Sequence, residues 1–416
     1  MIFVVTTLKT RMITRETYFN LLSGYIDKPF IKIITGLRRS GKSVLLNLLR
    51  DELIRRGIDE TNILLINFES FEFSEIDDAG KLHQYIKSKI NNNRRYYILL
   101  DEIQEVSSWE KAINSFRVDF DTDIYITGSN SRLLSSELAT YLAGRYIEIP
   151  VYTLSFREYL QFRLEYAKVY EPDIYAEFNL FLRKGGFPAL HVGDYTDEMA
   201  YKAVYDIYSS AILRDTIQRH GIRDVELLER VVKFVFDNVG NNFSAKSVSD
   251  YFKSQNRRID LNTVYNYLNA LEGAFIIYRI PRYDVKGKEI LKTNEKYFVG
   301  DQSLLYAVMG FKDRLISGVL ENIVMLELKR RGYHVFVGKL DDKEIDFVAE
   351  KMEKKLYIQV AYKMAEQSTI EREFSPLLAI KDNHPKYVVT MEENWHDNVE
   401  GIQHKHIADF ILMKEY

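Results

Sequence analysis

A lysine and a serine directly after a glycine-rich segment are the residues in this sequence best suited to chemistry. Residues 36–43 read GLRRSGKS and match G-x-x-x-x-G-K-[ST] at every fixed position. Glycines in such a segment let backbone N–H groups curl around phosphate groups. Lys42 would then reach the β- and γ-phosphates of a nucleotide, and the Ser43 hydroxyl would complete the coordination of Mg²⁺. The motif therefore predicts a phosphate-binding loop.

This glycine-rich segment is expected to contact the nucleotide along most of its length. The predicted contacts are Gly36, Arg38, Arg39, Ser40, Gly41, Lys42, Ser43 and Val44. The two arginines allow different interpretations, because their guanidinium groups could touch phosphate, pair with acids elsewhere or stay in solvent. The sequence does not choose between these roles.

Two consecutive carboxylates end a second apolar segment. Residues 96–102 read YYILLDE, which is typical of a buried strand that ends in acids. In phosphoryl-transfer sites the first acid supports the magnesium ion, and its neighbour can polarise the attacking water. We therefore assign Asp101 to the metal and Glu102 to the general base.

Two further polar residues are candidates for the same reaction. Asn130 follows the β-rich segment 123–128, where an amide could sense the γ-phosphate or orient water. The alternative is that Ser129 and Asn130 only cap a turn. Arg145 begins the segment 145–149. Its guanidinium group could neutralise charge in the transition state, either at the site of its own chain or at the site of a neighbouring chain. The alternative for Arg145 is an ordinary surface arginine.

These residues must be positioned by a parallel sheet with helices on both faces. The predicted strands are 31–35, 62–68, 96–101, 123–128 and 145–149, and a helix over 44–53 follows the glycine-rich segment. One strand and one helix lie between that segment and the acid pair, which is the layout of the additional-strand NTPases. The fold class predicted for residues 1–153 is therefore α/β, a P-loop NTPase core with an inserted strand.

Composition excludes several classes of protein. The 416 residues are 46% hydrophobic and 28% charged, with a net charge of −3 and no cysteine. Such a chain is globular, and it carries neither a disulfide framework nor a thiol nucleophile. No segment has the length of a membrane span or the pattern of a signal peptide, so we expect a soluble, cytoplasmic protein without a membrane partner.

The middle of the chain is predicted to be helical. Ser155 is expected to start a helix that runs to Tyr170, and residues 154–220 form a helical lid. Residues 221–300 follow the order helix, turn, helix and hairpin, which is typical of a winged helix.

Double-stranded DNA is one candidate partner of this winged helix. Arg257, Arg258, Lys286 and Lys288 would contact its phosphates. The charge balance supports this only mildly, because 13 Lys and Arg residues against 10 Asp and Glu residues give +3 over 221–300. The alternative is a module that docks a protein or packs within the chain.

The motifs taken together resemble those of prokaryotic AAA-type ATPases of the archaeal-ATPase and STAND-like group. The matching pieces are GLRRSGKS, YYILLDEIQ, ITGSNSRLL, LAGRY and LSFREYL. KGGFP and ILRDTIQRH are similar to the C-terminal region of the same group, a domain of uncharacterised function. The resemblance covers nearly the whole chain and implies an ATPase core, a winged-helix segment and a nuclease-like C-terminal fold.

Residues 301–416 resemble the PD-(D/E)xK restriction-endonuclease fold. By position, this resemblance implies that Glu321, Asp346 and Gln359 are the magnesium ligands of a phosphodiesterase. Ala361 stands where the motif has its lysine, and Lys363 is displaced by two residues. We therefore predict a degenerate domain without nuclease activity.

The sequence thus predicts a protein that binds ATP and Mg²⁺ and hydrolyses ATP to move its winged-helix and nuclease-like regions. The guanine-reading motif Asn-Lys-x-Asp is absent, which favours ATP over GTP. Two alternatives stay open: an ATP-gated signalling or protein-interaction switch without a DNA role, and an ATP-regulated DNA nuclease. The oligomeric state is open, and self-association is compatible with either.

Overall fold

The computed structural model describes residues 12–130, 142–193, 195–255, 259–364, 366–393 and 398–416. Within them the chain divides into two units. The first spans residues 12–36 and 41–151, and the second spans residues 37–40 and 152–416.

The first unit is an α/β sheet with helices between successive strands. Its helices are α1 (Glu16–Gly24), α2 (Lys42–Arg55), α3 (Ala79–Lys89) and α4 (Trp109–Asp119). Its strands are β1 (Ile31–Thr35), β2 (Ile63–Asn67), β3 (Tyr96–Asp101), β4 (Thr122–Gly128) and β5 (Tyr146–Pro150). The five strands are parallel and follow the order β2-β3-β4-β1-β5.

This strand order confirms the predicted parallel sheet with an inserted strand. β4 separates the strand that leads into the glycine-rich segment from the strand that ends in the acids. Every residue of β1 and β3 is buried, which explains why both strands are mostly apolar in sequence. Parallel alignment places the carboxyl ends of β1, β3 and β4 on one edge, where the polar side chains follow.

The helices of the second unit begin before its strands and continue between and after them. These are α5 (Phe156–Tyr166), α6 (Ile174–Lys184), α7 (Asp197–Asp206), a π-helical segment Ile207–Leu213, α8 (Arg214–His220), α9 (Val225–Asp237), α10 (Ala245–Ser254), α11 (Leu261–Gly273), α12 (Gln302–Met309), α13 (Ile316–Arg330), α14 (Gln367–Leu378) and α15 (Ile407–Leu412). Ser155 starts α5 with a capping box to Glu158. The helix ends at Tyr166 and not at Tyr170, because Lys168 is left-handed (φ 57°) and Val169 N–H bonds back to Arg163 O.

A nine-stranded mixed sheet forms the rest of the second unit. Its strands are β6 (Asn242–Phe243), β7 (Ile277–Asp284), β8 (Glu289–Val299), β9 (His334–Leu340), β10 (Lys343–Lys351), β11 (Lys354–Val360), β12 (Lys386–Thr390), β13 (Asn398–Val399) and β14 (Ile402–His406). They follow the order β13-β14-β12-β11-β10-β9-β7-β8-β6. The hairpin β7–β8 therefore continues the C-terminal sheet, since β7 pairs in parallel with β9.

Among the described residues, no helix combines the length and the apolar character that crossing a bilayer requires.

A buried aspartate fixes the turn between α6 and the residues that follow it. Asp301 has no exposed surface, and its Oδ2 accepts the Gly186 N–H at 2.8 Å. Its Oδ1 accepts the Ser303 N–H at 2.9 Å. Gly186 has no room for a side chain, because a Cβ would lie 2.5 Å from Leu154 O. The turn is therefore held both by packing and by one carboxylate.

We predict that Asp301→Ala destabilises the protein by about 2–5 kcal/mol, because two buried N–H donors lose their acceptor. Chemical denaturation measures this change. The matched control is Asp342→Ala, which removes an exposed aspartate and should cost less than about 0.5 kcal/mol. Equal destabilisation by both variants would contradict the anchoring role of Asp301.

Candidate nucleotide-binding site

The glycine-rich segment is a loop between β1 and the first residue of α2. Gly36 and Gly41 have φ values of 141° and 100°, which side-chain-bearing residues rarely adopt. Lys42 begins α2, is 3% exposed and donates from Nζ to Gly36 O at 3.1 Å. The ammonium group is thus held across the loop, beside the positive end of the helix.

Gly36 is required for a second reason. A Cβ at this position would lie 2.1 Å from Val151 O, so any side chain collides with the backbone. Val151 N–H also donates to Thr35 O at 2.7 Å. The start of the loop is therefore bonded directly to the segment that follows β5.

Asp101 ends β3 and lies beside two hydroxyl groups. The Thr127 hydroxyl donates to its Oδ1, and the Ser43 hydroxyl is close enough to the same carboxylate to lower its pKa. Burial raises the pKa of Asp101, and the hydrogen bonds from Thr127 and Ser43 oppose this shift. A carboxylate beside a serine hydroxyl is an oxygen donor set that suits Mg²⁺. These residues fit the predicted metal.

Glu102 follows in a left-handed conformation, with a φ of 54°. Its N–H donates to Thr127 Oγ1 at 3.0 Å, which holds the backbone in this conformation. Its carboxylate accepts from the Ser129 hydroxyl at 3.0 Å and from the Gln104 amide. Glu102 Oε1 lies 3.9 Å from Lys42 Nζ. The sheet thus brings the predicted base to the predicted phosphate-binding lysine.

Thr127 was not among the residues predicted from the sequence. It is fully buried on β4, which lies between β1, the strand before the glycine-rich loop, and β3, the strand that ends in Asp101. Its hydroxyl bonds to both acids of the pair, as donor to Asp101 and as acceptor from Glu102. Thr127 could have been predicted from the sequence, because it is a hydroxyl residue near the end of the strand that follows β3, the strand ending in Asp101.

The remaining loop residues differ in exposure. Ser40 is buried, and Arg38 is half-buried. Arg39 is exposed in a left-handed conformation, with a φ of 68°, and Val44 is 41% exposed on the first turn of α2. Their contacts with a nucleotide remain predictions.

The structure separates Asn130 from Arg145. Asn130 is buried directly after β4, at the edge of the sheet that carries Asp101. Arg145 precedes β5, and its carbonyl accepts the N–H of Ile31 at the opposite edge. Its exposed guanidinium group donates to Asn114 at 3.0 Å. The sheet therefore does not bring Arg145 together with Lys42, whereas it does place Asn130 near the acid pair.

Glu321, Asp346 and Gln359, the metal ligands implied by the nuclease resemblance, lie together in the second unit. Gln359 Oε1 accepts the Asp346 N–H at 2.8 Å. Lys296, which the sequence did not single out, bridges Glu321 and Asp346 at 3.1 and 3.2 Å. Glu344 joins the same lysine at 3.0 Å. Glu344 and Asp346 alternate on β10, so their shared face could have been read from the sequence.

The predicted DNA contacts are only partly described. Arg257 and Arg258 lie outside the described residues. The Lys286 ammonium pairs with Asp341, and Lys288 is exposed in a left-handed conformation at the β7–β8 turn. An exposed pair such as Lys286–Asp341 is worth about 0–1 kcal/mol, so it would not prevent Lys286 from contacting a phosphate.

Comparisons with known proteins agree with this geometry. A family profile described as an AAA domain matches residues 28–160, and a domain of unknown function matches residues 175–315. An uncharacterized protein of Haemophilus influenzae is 42% identical over 403 residues, covering 96% of this chain and 99% of that protein. An uncharacterized protein of Methanocaldococcus jannaschii is 28% identical, covering 97% of this chain and 90% of that protein.

One solved structure shares the fold over much of the chain. A Walker-type ATPase of Pyrococcus abyssi superposes with a TM-score of 0.52 at 16% identity, covering 71% of this chain and 96% of that one.

The fold and the loop define a P-loop NTPase of the AAA type. The chain belongs to the family of the Haemophilus influenzae protein, with an AAA-type P-loop ATPase domain at residues 28–160.

We predict that Thr127→Val lowers the ATP hydrolysis rate about tenfold while nucleotide affinity changes little. The valine keeps the shape of the side chain but removes the bonds to Asp101 and to the Glu102 N–H. Steady-state hydrolysis and a nucleotide-binding titration measure the two effects. The matched control is Thr122→Val at the start of the same strand, whose hydroxyl donates to Phe116 O at 3.4 Å and to no other described residue. A Thr127→Val enzyme as fast as this control would refute the role of Thr127.

Proposed function

We propose that this protein is a Mg²⁺-dependent ATPase whose nucleotide state controls the position of its second unit. The observation that carries the proposal is the meeting of three strand ends. The Ser43 hydroxyl lies beside the Asp101 carboxylate, while Glu102 Oε1 lies 3.9 Å from Lys42 Nζ. This is the arrangement that phosphate binding, metal support and water activation require.

Each residue has a distinct task in this proposal. Lys42 binds the β- and γ-phosphates and offsets their negative charge. Ser43 and Asp101 would hold the magnesium ion, which neutralises charge that develops on the phosphate oxygens. Glu102 accepts a proton from the attacking water. In the present geometry, Ser129 and Gln104 restrain its carboxylate, so water activation requires Glu102 to exchange at least one of these bonds.

ATP is the proposed nucleotide. The family supports an ATPase, and the sequence lacks the Asn-Lys-x-Asp motif that reads guanine.

Coupling between the site and the rest of the chain follows from backbone contacts inside the first unit. Thr35 O accepts the Val151 N–H at 2.7 Å, and Gly36 lies against Val151 O. The Thr35 hydroxyl also donates to Glu148 at 2.6 Å. A shift of the loop start on phosphate binding would therefore move the segment that leads to residue 152, where the second unit resumes.

DNA is the partner that we propose to test first, because residues 221–300 contain the helix–helix–hairpin order of α10, α11, β7 and β8. α11 contains no lysine or arginine, and its exposed side chains include Asn262, Tyr265, Asn266 and Asn269. Amides can read base edges, but phosphate contacts would have to come from the preceding turn and the hairpin. A protein partner is the competing outcome, since Leu261 and Tyr265 are 43% and 53% exposed.

We expect the protein to hydrolyse ATP with Mg²⁺, and Lys42→Ala to abolish both binding and hydrolysis. Glu102→Gln should lower the rate about 100-fold or more while ATP still binds, because it removes the base and keeps the shape. Phosphate release and a fluorescent-nucleotide titration measure the two effects. An active Glu102→Gln protein would show that another group prepares the water.

Duplex DNA added to the same assay separates the partner classes. A severalfold acceleration that falls with Lys288→Ala, and with rising salt, would support a DNA-responsive ATPase. Hydrolysis that is insensitive to DNA at low salt would instead favour the protein-interaction switch.

A further inference from the structure

A buried lysine lies at the centre of the acid cluster in the second unit. Lys296 is on β8, is 3% exposed and places its Nζ within 3.0–3.2 Å of Glu344, Glu321 and Asp346. These carboxylates come from α13 and β10, the elements on which the restriction-endonuclease resemblance places metal ligands. The lysine therefore occupies the point at which those three side chains converge.

The residues around this point do not fit a divalent cation. Asp346 Oδ1 accepts from Lys296, and its Oδ2 accepts the Val360 N–H at 2.9 Å. Gln359 Oε1 accepts the Asp346 N–H, and Gln359 Nε2 donates to Glu373 at 3.0 Å. The oxygens that should face a metal are thus already engaged. In the described part of the chain, no three acidic or histidine side chains are arranged to hold a metal ion.

Two side-chain cations already lie among the acids of the cluster. Lys296 places one positive charge within 3.0–3.2 Å of the carboxyl groups of Glu321, Asp346 and Glu344. Arg282 adds a second positive charge, 3.3 Å from Glu344. Most of the negative charge that would attract a metal ion is therefore already paired with side chains of this chain.

The backbone closes one side of the cluster as well. A Cβ at Gly240 would lie 3.1 Å from Glu321 Oε2, and a Cβ at Gly318 would lie 2.3 Å from Val239 O. The loop before β6 therefore packs directly on α13 beside Glu321. The other side opens into a cleft of about 530 Å³ whose lining includes Lys343, Lys363 and Arg372.

We propose that the ammonium group of Lys296 is a built-in replacement for the divalent cation of a nuclease-like site, so that residues 301–416 fold and act without a bound metal. The lysine comes from the hairpin strand β8 and not from the motif strand β11. It thus differs from a catalytic lysine that works beside a metal ion, because it bonds to the carboxylates that would be the ligands.

The test compares Mn²⁺ binding to full-length variants without nucleotide, counted per chain by equilibrium dialysis. We expect the wild-type protein and Asp346→Asn to bind equal amounts of Mn²⁺, because Asp346 holds no metal. Lys296→Met should gain one Mn²⁺ site, since truncation of one partner in a buried pair leaves its carboxylates uncompensated. The double variant with Asp346→Asn should lose that site.

Thermal unfolding gives a second readout. Lys296→Met should lower Tm by about 5–10 °C in EDTA, and Mn²⁺ should restore part of this loss. The matched control is Lys343→Met, which lines the same cleft but donates to Ser375 O and has no carboxylate partner among the described residues. It should show neither the loss nor the rescue.

Two results would overturn the proposal. One is a Mn²⁺ ion on the wild-type protein that Asp346→Asn removes, which would restore the metal-dependent interpretation of the cleft. The other is a folded Lys296→Met protein that binds no more Mn²⁺ than Lys343→Met. If Lys296→Met does not fold, equal Mn²⁺ binding by wild type and Asp346→Asn still supports the proposal, and unequal binding still refutes it.

Discussion

A single buried hydroxyl organises the nucleotide site. Thr127 donates to Asp101 and accepts from the Glu102 N–H, so it sets both the carboxylate of one acid and the backbone conformation of the next. This works only because β4 lies between β1 and β3. The parallel sheet brings three strand ends to one edge, and Lys42 meets Glu102 there. The geometry of the candidate site therefore depends on strand order as much as on the motifs.

The parts of the molecule that the sequence predicts are those whose partners are close along the chain. The phosphate loop, the strand before it and the capped start of α5 depend on local spacing, and each was found. Thr127 and Lys296 act on residues of other strands, so their roles depend on sheet order and register. The predicted end of α5, Tyr170, lies four residues beyond the observed end, Tyr166. The helix stops because Lys168 adopts a left-handed conformation, which cannot be predicted from a lysine in the sequence.

In the second unit, a lysine lies among the side chains that the nuclease resemblance names as metal ligands. Glu321, Asp346 and Gln359 are brought together as the resemblance implies, yet the cation among them is a side chain. Because that side chain belongs to the hairpin, the cluster also ties β8 to α13 and β10. Removing one partner from a buried ion pair of this kind is strongly destabilising, because the remaining charge is left uncompensated.

The parallel pairing of β7 with β9 has a consequence for how the protein is made. Arg282 to Asp284 align with Val337 to Lys339, so a hairpin that ends at Val299 cannot complete its pairing until the ribosome has supplied about forty more residues. A nascent or clipped chain that stops near residue 300 would present an unpaired strand edge. Such edges recruit other strands and lead to aggregation. The edge of the hairpin is therefore covered only when the later residues that form β9 are present.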